Sequence, residues 1–351
     1  MEITIKPFSA EYAEQCADLE QYLWKEDKIN REIRFKWTYL DCPNFQKPLC
    51  VIAVNENDEV LGFRGYFINK FFFGGKEMLV AQLSDTVVSE KARRMGIFQK
   101  MTDYSLHYLR DNDVAMILNL SPSWPPYHGY KKMSFEDLAA FHSRYRFGIG
   151  QMFSKYILKT NRTLWNKKDI ACLEKSNRKY VLSQSIDDTV LLQIRNLEST
   201  DRNHASLSLE NMKWRTQRPG RNYVYAYSID KDKCLHSFVM LKTNDYFNYE
   251  IGLMLSDNHS ELKTLMNFFR KNYHPAALAI WDFAMDENKI KMVKKLGLYP
   301  IPFINKIRKN PPALLRTLQT NEDGSLNWSV NGIDIRNVSN WSINKLDLDS
   351  F

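Results

Sequence analysis

The sequence has few cysteines, and their arrangement argues against two kinds of site. Its 351 residues include five cysteines, an odd number, scattered without any Cys-x-x-Cys pair. We therefore expect neither a disulfide framework nor a zinc site, and we predict no metal ligands. The same pattern is typical of a protein kept in a reducing compartment.

Long apolar runs are also missing. No run approaches the roughly 18 residues that a membrane-spanning helix needs, and the first residues, MEITIKPFSAEY, lack the apolar core of a secretory signal. The sequence therefore predicts a cytoplasmic protein without a membrane span.

Acidic residues are outnumbered by basic ones. The 49 Lys and Arg residues stand against 41 Asp and Glu residues, so the formal net charge is +8 at pH 7. Basic proteins bind nucleic acids, acidic membrane surfaces or phosphorylated small molecules. No basic run alternates with stacking aromatic residues, so nucleic acid is not an expected partner. Phosphorylated small molecules are at least as well supported by the charge as the other partners, and a merely soluble basic surface is the alternative.

The stretch from Ala81 to Leu109 predicts an anion-binding turn. A strand ends near Val88, a polar turn containing Arg93 and Arg94 follows, and Gly96 opens an amphipathic helix. The free N–H groups and the dipole of a helix N-terminus favour negative charge, and arginines add charged hydrogen bonds. We interpret this as a pyrophosphate-binding turn, and the alternative is an ordinary polar turn with a glycine.

The second half of the chain repeats the order of the first. Phe35-Lys36-Trp37 is matched by Met212-Lys213-Trp214, and a strand, an acidic turn and another strand follow each triplet. Where the first half has its arginine pair and glycine, the second has SDNHS. The sequence therefore predicts a tandem duplication in which the first half binds the phosphorylated cofactor.

Composition divides the chain into four segments. We predict a first domain over residues 1–150, a basic linker over 151–179, a second domain over 180–305 and a C-terminal tail over 306–351. The linker is placed where eight Lys and Arg residues stand against two acidic ones between Lys155 and Lys179. A solvated helical arm would have the same composition.

Two motifs and the order of elements resemble the GNAT acyltransferase superfamily. The superfamily's signature Q/R-x-x-G-x-G/A is matched by residues 93–98, RRMGIF, with Phe98 in place of a small residue. A second element, Y-x-K-x-G-F, is matched by residues 130–135, YKKMSF, with Ser134 in place of glycine. The resemblance implies a mixed α/β fold with two tandem GNAT-like domains, the second degenerate.

The resemblance also implies an enzyme that transfers an acyl group from acyl-CoA to an amine by direct attack in a ternary complex. The co-substrate would be acetyl-CoA or a short hydroxyacyl-CoA. The residues implied in binding it are Val87, Val88, Arg93, Arg94, Gly96, Ile97, Phe98 and Asn119. Asn119 would bond the pantetheine amides, or it would instead cap the following turn.

Three candidate catalytic residues follow from the needs of this reaction. Tyr130 matches the position that protonates the leaving thiolate in the family, and its alternative is to pack a short helix onto the sheet. Asp85 and His128 are the candidate bases for the attacking amine. The alternatives are an ion pair with a nearby arginine for Asp85 and an exposed, inactive side chain for His128.

The acceptor is predicted from the architecture. The tandem arrangement resembles bacterial GNAT enzymes of surface-polysaccharide pathways, which acylate amino sugars carried on dTDP or UDP. Trp124 and Tyr127 would line the acceptor pocket by stacking, or they would only anchor a proline-rich loop. The alternatives are another small amine, a protein amine, or a non-catalytic CoA-binding protein. We expect a monomer or a homodimer.

Overall fold

The computed structural model of the chain describes residues 2–159, 170–198, 201–243, 245, 247–307, 310–348 and 351. The strands are β1 (Ile3–Pro7), β2 (Val51–Asn55), β3 (Val60–Phe73), β4 (Lys76–Val88), β5 (Val114–Asn119), β6 (Glu136–Asp137), β7 (Ser143–Phe147), β8 (Ile170–Lys175), β9 (Arg178–Ser183), β10 (Asn203–Ala205), β11 (Asn222–Ile229), β12 (Leu235–Thr243), β13 (Asn248–Ser256), β14 (Ala277–Trp281), β15 (Tyr299–Pro300), β16 (Leu314–Thr317), β17 (Ser329–Val330), β18 (Ile333–Asp334) and β19 (Trp341–Ser342). The helices are α1 (Ala13–Leu19), α2 (Lys28–Phe35), α3 (Ile97–Arg110), α4 (Trp124–Lys132), α5 (Ile149–Tyr156), α6 (Asp188–Ile194), α7 (Leu209–Thr216), α8 (His259–Tyr273), α9 (Glu287–Lys295) and α10 (Pro302–Ile307).

The first sheet has the strand order β1-β2-β3-β4-β5-β16-β6. Along this path only β4 and β5 are parallel. The predicted hairpin of β3 and β4 turns at Gly74-Gly75, where both φ angles are positive (+55° and +80°) and therefore favour glycine. The chain returns through α3 to place β5 beside β4, as a parallel pair requires.

The second sheet has the order β15-β7-β14-β13-β12-β11-β9-β8. From β9 to β15 it repeats the order and the directions of the first sheet, with β13 and β14 as its parallel pair. The predicted class, a mixed α/β fold in two similar tandem units, is therefore confirmed.

Each sheet includes strands from outside its own predicted domain. The first sheet contains β10, which pairs with β3, and β19, which pairs with β10. β7 precedes the boundary predicted at residue 150, yet it pairs with β14 and β15 of the second sheet. β16 belongs to the predicted tail, yet it lies between β5 and β6 of the first sheet. Strand pairing therefore crosses two of the predicted boundaries. The predicted basic linker contains most of α5 and all of β8, and its residues 160–169 lie outside the described part of the chain.

The repeated tryptophans contact each other. The rings of Trp37 and Trp214 are stacked with centroids 4.7 Å apart. Each indole Nε1 donates to the other residue's carbonyl oxygen, at 3.1 Å from Trp37 and 3.0 Å from Trp214. Such a reciprocal contact is what an approximate two-fold axis produces. The two copies of the repeat therefore pack against one another.

The end of the C-terminal tail lies in the core. Leu346, Leu348 and Phe351 are buried in an apolar cluster that includes side chains from both sheets. Arg215 donates hydrogen bonds to the carbonyl oxygens of Leu346 and Leu348. Among the described helices, none combines the length and the apolar character needed to cross a membrane.

Candidate active site

An open strand edge leads to the predicted turn. The parallel pairing of β4 with β5 ends at Gln82 and Leu118, while β4 continues to Val88. In the described residues no strand pairs with this side of β4 between Leu83 and Val88. Apart from the amide of Asp85, which donates to the Oη of Tyr39 at 3.3 Å, its backbone groups on this side have hydrogen-bonding capacity for an extended ligand. Val87 and Val88 lie on this segment, where the prediction places part of the acyl-CoA.

The turn after β4 leads into α3, whose N-terminus has no side-chain cap. Arg94 and Gly96 have φ angles of +68° and +72°, and no side chain caps the N-terminus of α3. The amide of Lys100 bonds to the carbonyl oxygen of Gly96 at 3.0 Å, so the N–H groups of Ile97 and Phe98 precede the intrahelical bonds. A Cβ added at Gly96 would meet nothing within 4 Å. Space and donors for an anion therefore coincide.

The two arginines of the turn are exposed to solvent. Arg93 forms an ion pair with the exposed Glu90 at 3.1 Å, and Arg94 is exposed beside it. An ion pair between exposed groups contributes little, about 0–1 kcal/mol. An incoming pyrophosphate can therefore replace Glu90 as the partner of Arg93 at small cost.

Phe98, the departure from the signature, packs away from the turn. Its ring lies 5.4 Å from that of Tyr130, and a Cβ at Gly129 would come within 3.0 Å of its Cε1. The missing side chain of Gly129 thus gives room for the larger residue. The ring leaves the space in front of Gly96 open.

Tyr130 is buried and hydrogen-bonded to an arginine that sequence analysis missed. The Nη1 of Arg64 donates to the Oη of Tyr130 at 2.7 Å and to the Oγ1 of Thr86 at 2.9 Å. Its Nε donates to the Oη of Tyr66 at 3.1 Å, and its Nη2 is buried without a hydrogen-bond partner. A charged residue inside the apolar strand segment VLGFRGYF was the available signal. Tyr130 also packs against Phe135, so both interpretations of it are compatible with the geometry.

Asp85 lies in a buried polar network. Its Oδ1 accepts from the Nε1 of Trp24 at 2.7 Å. Its Oδ2 accepts from the Oη of Tyr39 at 2.9 Å and from Arg34 at 3.2 Å. The ion pair with Arg34 is the alternative considered from the sequence. Asp85 sits where β4 bulges opposite Gly65, and its role as a base stays a prediction.

A second buried carboxyl group shares Arg34 with Asp85. The Oε2 of Glu20 accepts from Arg34 at 2.7 Å, and the side chain is fully buried. Burial first, and the charge of Asp85 second, raise the pKa of Glu20 well above its ordinary value. Burial in this network therefore favours the protonated form of the Glu20 carboxyl group. Glu20 directly follows α1 and comes four residues after Cys16. Its place in the apolar spacing of the sequence was the available signal.

The remaining predicted residues lie on or near α4. His128 is exposed, with its ring 5.4 Å from that of Tyr127. Trp124 is exposed 5.3 Å from the same tyrosine, whose Oη bonds to the carboxylate of Asp137 at 3.0 Å. Asn119 is buried, and its Oδ1 accepts from the amide of Ser121 at 3.1 Å. The anchoring and capping interpretations therefore match contacts in the structure.

The chain matches a known family over its first domain. Residues 4–137 match the model of the acetyltransferase (GNAT) domain. No curated protein matches the chain.

Solved structures resemble the whole chain. A probable N-acyltransferase from Enterococcus faecalis has a TM-score of 0.65 at 12% identity, over 91% of this chain and 73% of that one. A tandem GNAT protein from the clavulanic acid biosynthesis pathway has a TM-score of 0.52 at 12% identity, over 92% and 100%. An N-myristoyltransferase from Saccharomyces cerevisiae has a TM-score of 0.54 at 10% identity, over 97% and 89%.

Residues 4–137 therefore match a GNAT acetyltransferase domain. The two similar sheets give the whole chain a fold similar to that of a tandem GNAT protein. A GNAT domain implies acyl-CoA as the co-substrate.

Proposed function

We propose that the protein transfers an acetyl or short hydroxyacyl group from CoA to the amine of an amino sugar carried on dTDP or UDP. The observation that carries the proposal is the continuity of the open β4 edge with the uncapped, arginine-flanked N-terminus of α3. An extended chain that ends in a pyrophosphate fits this sequence of donors.

In this proposal the co-substrate is held by the first domain. Backbone groups around Val87 and Val88 bind the pantetheine. The N–H groups of Ile97 and Phe98 bind the pyrophosphate together with Arg93 and Arg94.

The reaction needs no covalent enzyme intermediate. The amine nitrogen attacks the thioester carbon, so a C–N bond forms while the C–S bond breaks and the thiolate leaves. The amine's proton passes to Asp85, directly or through water, and Tyr130 protonates the thiolate. The Oη of Tyr130 accepts from the Arg64 guanidinium, which stabilises the phenolate left after proton transfer.

Charge and aromatic surface support the proposed acceptor. The net charge of +8 attracts two phosphorylated ligands. Trp124 is exposed beside Tyr127, and such a pair can stack on a base or a sugar.

The test is thiol release from acetyl- and hydroxyacyl-CoA with a panel of amines. The panel contains dTDP- and UDP-linked amino sugars, the free amino sugars, small amines and peptide amines. We expect the highest kcat/KM with a nucleotide-linked sugar. Equal turnover of the free sugar would remove the nucleotide from the proposal. No release with any acceptor, together with no thermal stabilisation by CoA, would contradict the catalytic proposal.

A matched pair of arginine variants locates the co-substrate. Arg94→Ala should raise the KM for acyl-CoA by about tenfold to a hundredfold, because a charged hydrogen bond contributes about 1.5–3 kcal/mol. Arg110→Ala removes an exposed arginine from the other end of the same helix, and it should leave the KM unchanged. Equal effects of the two substitutions would mean that the site is misplaced.

A further inference from the structure

A large cavity in the second domain is lined by basic side chains. It has a volume of about 760 Å³ and lies between α8, β7, β8 and the start of α5. None of its described lining residues is acidic. A cavity of this size accommodates a small molecule, and its charge favours an anion. The basic residues of this cationic cavity are Arg146, Lys175, Arg270, Lys271 and His274.

The two arginines of the cationic cavity lack a neutralising partner. The Nη1 of Arg270 is buried without a hydrogen-bond partner. Burial first, and the positive charge of Arg146 second, lower the pKa of Arg270, so the two guanidinium groups are close enough to repel each other. In the part of the chain that the structure describes, no carboxylate forms an ion pair with either arginine. A bound anion would supply an acceptor and offset the repulsion.

The dipole of α8 explains only part of this cluster. Arg270, Lys271 and His274 lie at the C-terminal end of the helix, where basic side chains are favoured without any ligand. Arg146 and Lys175 belong to β7 and β8 instead. Cations from three separate elements therefore converge on one cavity, which stabilisation of a helix end does not require.

The first domain has a much smaller cavity at the end of its corresponding helix. Arg316 and Arg146 make the same contact in the two halves, because each donates to the carbonyl oxygen that directly follows α4 or α9, at 2.7 and 2.9 Å. The cavity beside Arg316 has a volume of only about 110 Å³. Arg110, which also lines it, forms an ion pair with Asp111 at 3.7 Å. The large cavity with unneutralised charge is therefore a property of the second half.

The walls of the cationic cavity are partly apolar. Phe147, Leu173, Phe268 and Leu278 line it, and the ring of Phe147 is 39% exposed. Inorganic phosphate would leave these side chains without a partner, whereas aromatic rings stack on nucleobases. The combination of cations and rings therefore favours a phosphorylated ligand that carries a base.

We propose that the cationic cavity binds a nucleoside diphosphate, with its phosphates on the cations and its base on the aromatic wall. This site lies in the second domain, and the proposed function places acyl-CoA in the first. It is therefore a second nucleotide-binding site, separate from the reacting groups.

The experiment is titration calorimetry of the full chain with ADP, adenosine and inorganic pyrophosphate. Each titration is repeated in Arg94→Ala, because the proposed function places another pyrophosphate at Arg94. We expect an ADP-binding event whose affinity Arg94→Ala leaves unchanged, with weaker binding of pyrophosphate and the weakest binding of adenosine. The proposal is overturned if no ADP binding survives Arg94→Ala, or if adenosine or pyrophosphate binds as tightly as ADP.

Two pairs of lysine substitutions test the location of this event. K175Q/K271Q removes two exposed cations of the cavity and should weaken ADP binding about tenfold or more. The control K263Q/K291Q removes two exposed lysines outside the described lining, one of them also on α8, and should change the affinity less than about twofold. Equal losses in the two pairs would assign the binding to net charge and overturn the proposal.

Arg270→Met tests the unpartnered guanidinium directly. It should abolish the ADP event without lowering the thermal midpoint of the ligand-free protein, because it removes a buried donor that has no acceptor. Unchanged ADP binding in this variant would also overturn the proposal.

The cavity proposal stands apart from the proposed function. Circular dichroism and thermal midpoints should show that the lysine variants fold, because the substituted side chains are exposed. Thiol release without ADP should be the same in these variants and in the parent chain. Missing ADP binding with normal thiol release would overturn only the cavity proposal. Missing thiol release with the expected ADP binding would contradict only the proposed function.

Discussion

The two sheets share a strand order but differ at the same position. In each, the second strand of a central hairpin bulges just after its parallel pairing with the next strand ends. In the first sheet the bulge carries Asp85, bonded to Arg34. In the second it carries Gly252, against which the ring of Phe351 lies. One bulge presents a carboxylate to a polar network, and the other is covered by the chain's own tail.

The helices that follow differ in the same way. No side chain caps α3, whereas the Oδ1 of Asn258 accepts from the amides of Ser260 and Glu261 at 2.8 and 3.3 Å at the start of α8. A cap occupies the donors that an anion would otherwise use. The two halves therefore differ in whether a side chain occupies the N–H donors at the start of this helix.

The largest expected effect comes from making the first site resemble the second. Tyr130 corresponds in the repeat to Val293, which has no acidic hydrogen. Tyr130→Phe should lower kcat about 10²–10⁴-fold while the affinity for acyl-CoA changes little, because only the proton donor is lost. Steady-state thiol release and thermal shift with CoA measure the two quantities.

Tyr66→Phe is the matched control for this substitution. It removes the other phenol that bonds to Arg64 and leaves Tyr130 in place. We expect kcat to stay near that of the parent. An equal fall in both variants would assign the effect to the packing around Arg64.

The buried carboxyl group of Asp347, in the C-terminal tail, predicts that the stability of the protein depends on pH. Burial raises the pKa of Asp347 to about 7 from its ordinary 3.8. Because the folded pKa is the higher, this group's stabilising contribution is complete below about pH 4 and is lost as the pH rises to about 7. The slope is at most about 1.4 kcal/mol per pH unit.

Asp347→Asn should remove this slope from urea unfolding curves recorded between those pH values. Asparagine keeps an oxygen that can accept from the amide of Asn344, as Asp347 does at 2.7 Å. Asp323→Asn, at an exposed turn of the tail, is the control and should leave the slope in place. An unchanged slope in Asp347→Asn would contradict the prediction.

A glycine pair tests whether the open turn of the first site binds the co-substrate. Gly96→Ala and Gly75→Ala both place a Cβ at a positive φ with nothing within 4 Å. Each should cost about 1–2 kcal/mol of stability from the left-handed conformation. Only Gly96→Ala should also weaken acyl-CoA binding, about tenfold, as measured by titration calorimetry. The same affinity in both variants would remove Gly96 from the site.

The smallest expected effect concerns Asn258, whose side chain caps α8 in the second half of the chain. Asn258→Ala should destabilise the protein by about 1 kcal/mol, with no second acyl-CoA site appearing in calorimetry. Ser208→Ala, which removes the cap of α7, should cost a similar amount. A second binding event in Asn258→Ala would show that the cap alone prevents the second half from binding acyl-CoA.

Local patterns predicted the elements that depend on neighbouring residues. The hairpin at Gly74-Gly75, the strand–turn–helix around Gly96 and the repeated tryptophan triplets all carry short-range signals. The exchange of β7 and β16 carries none, because short strands of similar composition fit either sheet and only tertiary packing selects between them.

The polar network was only partly accessible to sequence reasoning. Asp85 was found because it lies beside a motif, whereas Glu20 and Arg34 reach it from other elements. Helix α5 was not predicted, because most of it lies in a segment whose basic composition was interpreted as a linker. Phe98 was unexplained until Gly129 was seen to make room for it.

The strand exchange also governs how the chain is made. β16 pairs with β5 in the first sheet, yet it is synthesised after every strand of the second sheet. Until β16 is synthesised, one edge of β5 has no partner strand, and such an edge is prone to wrong pairing. Pairings between distant segments also slow folding. A chain divided at the boundary predicted at residue 150 would leave the first sheet without β10, β16 and β19 and the second sheet without β7.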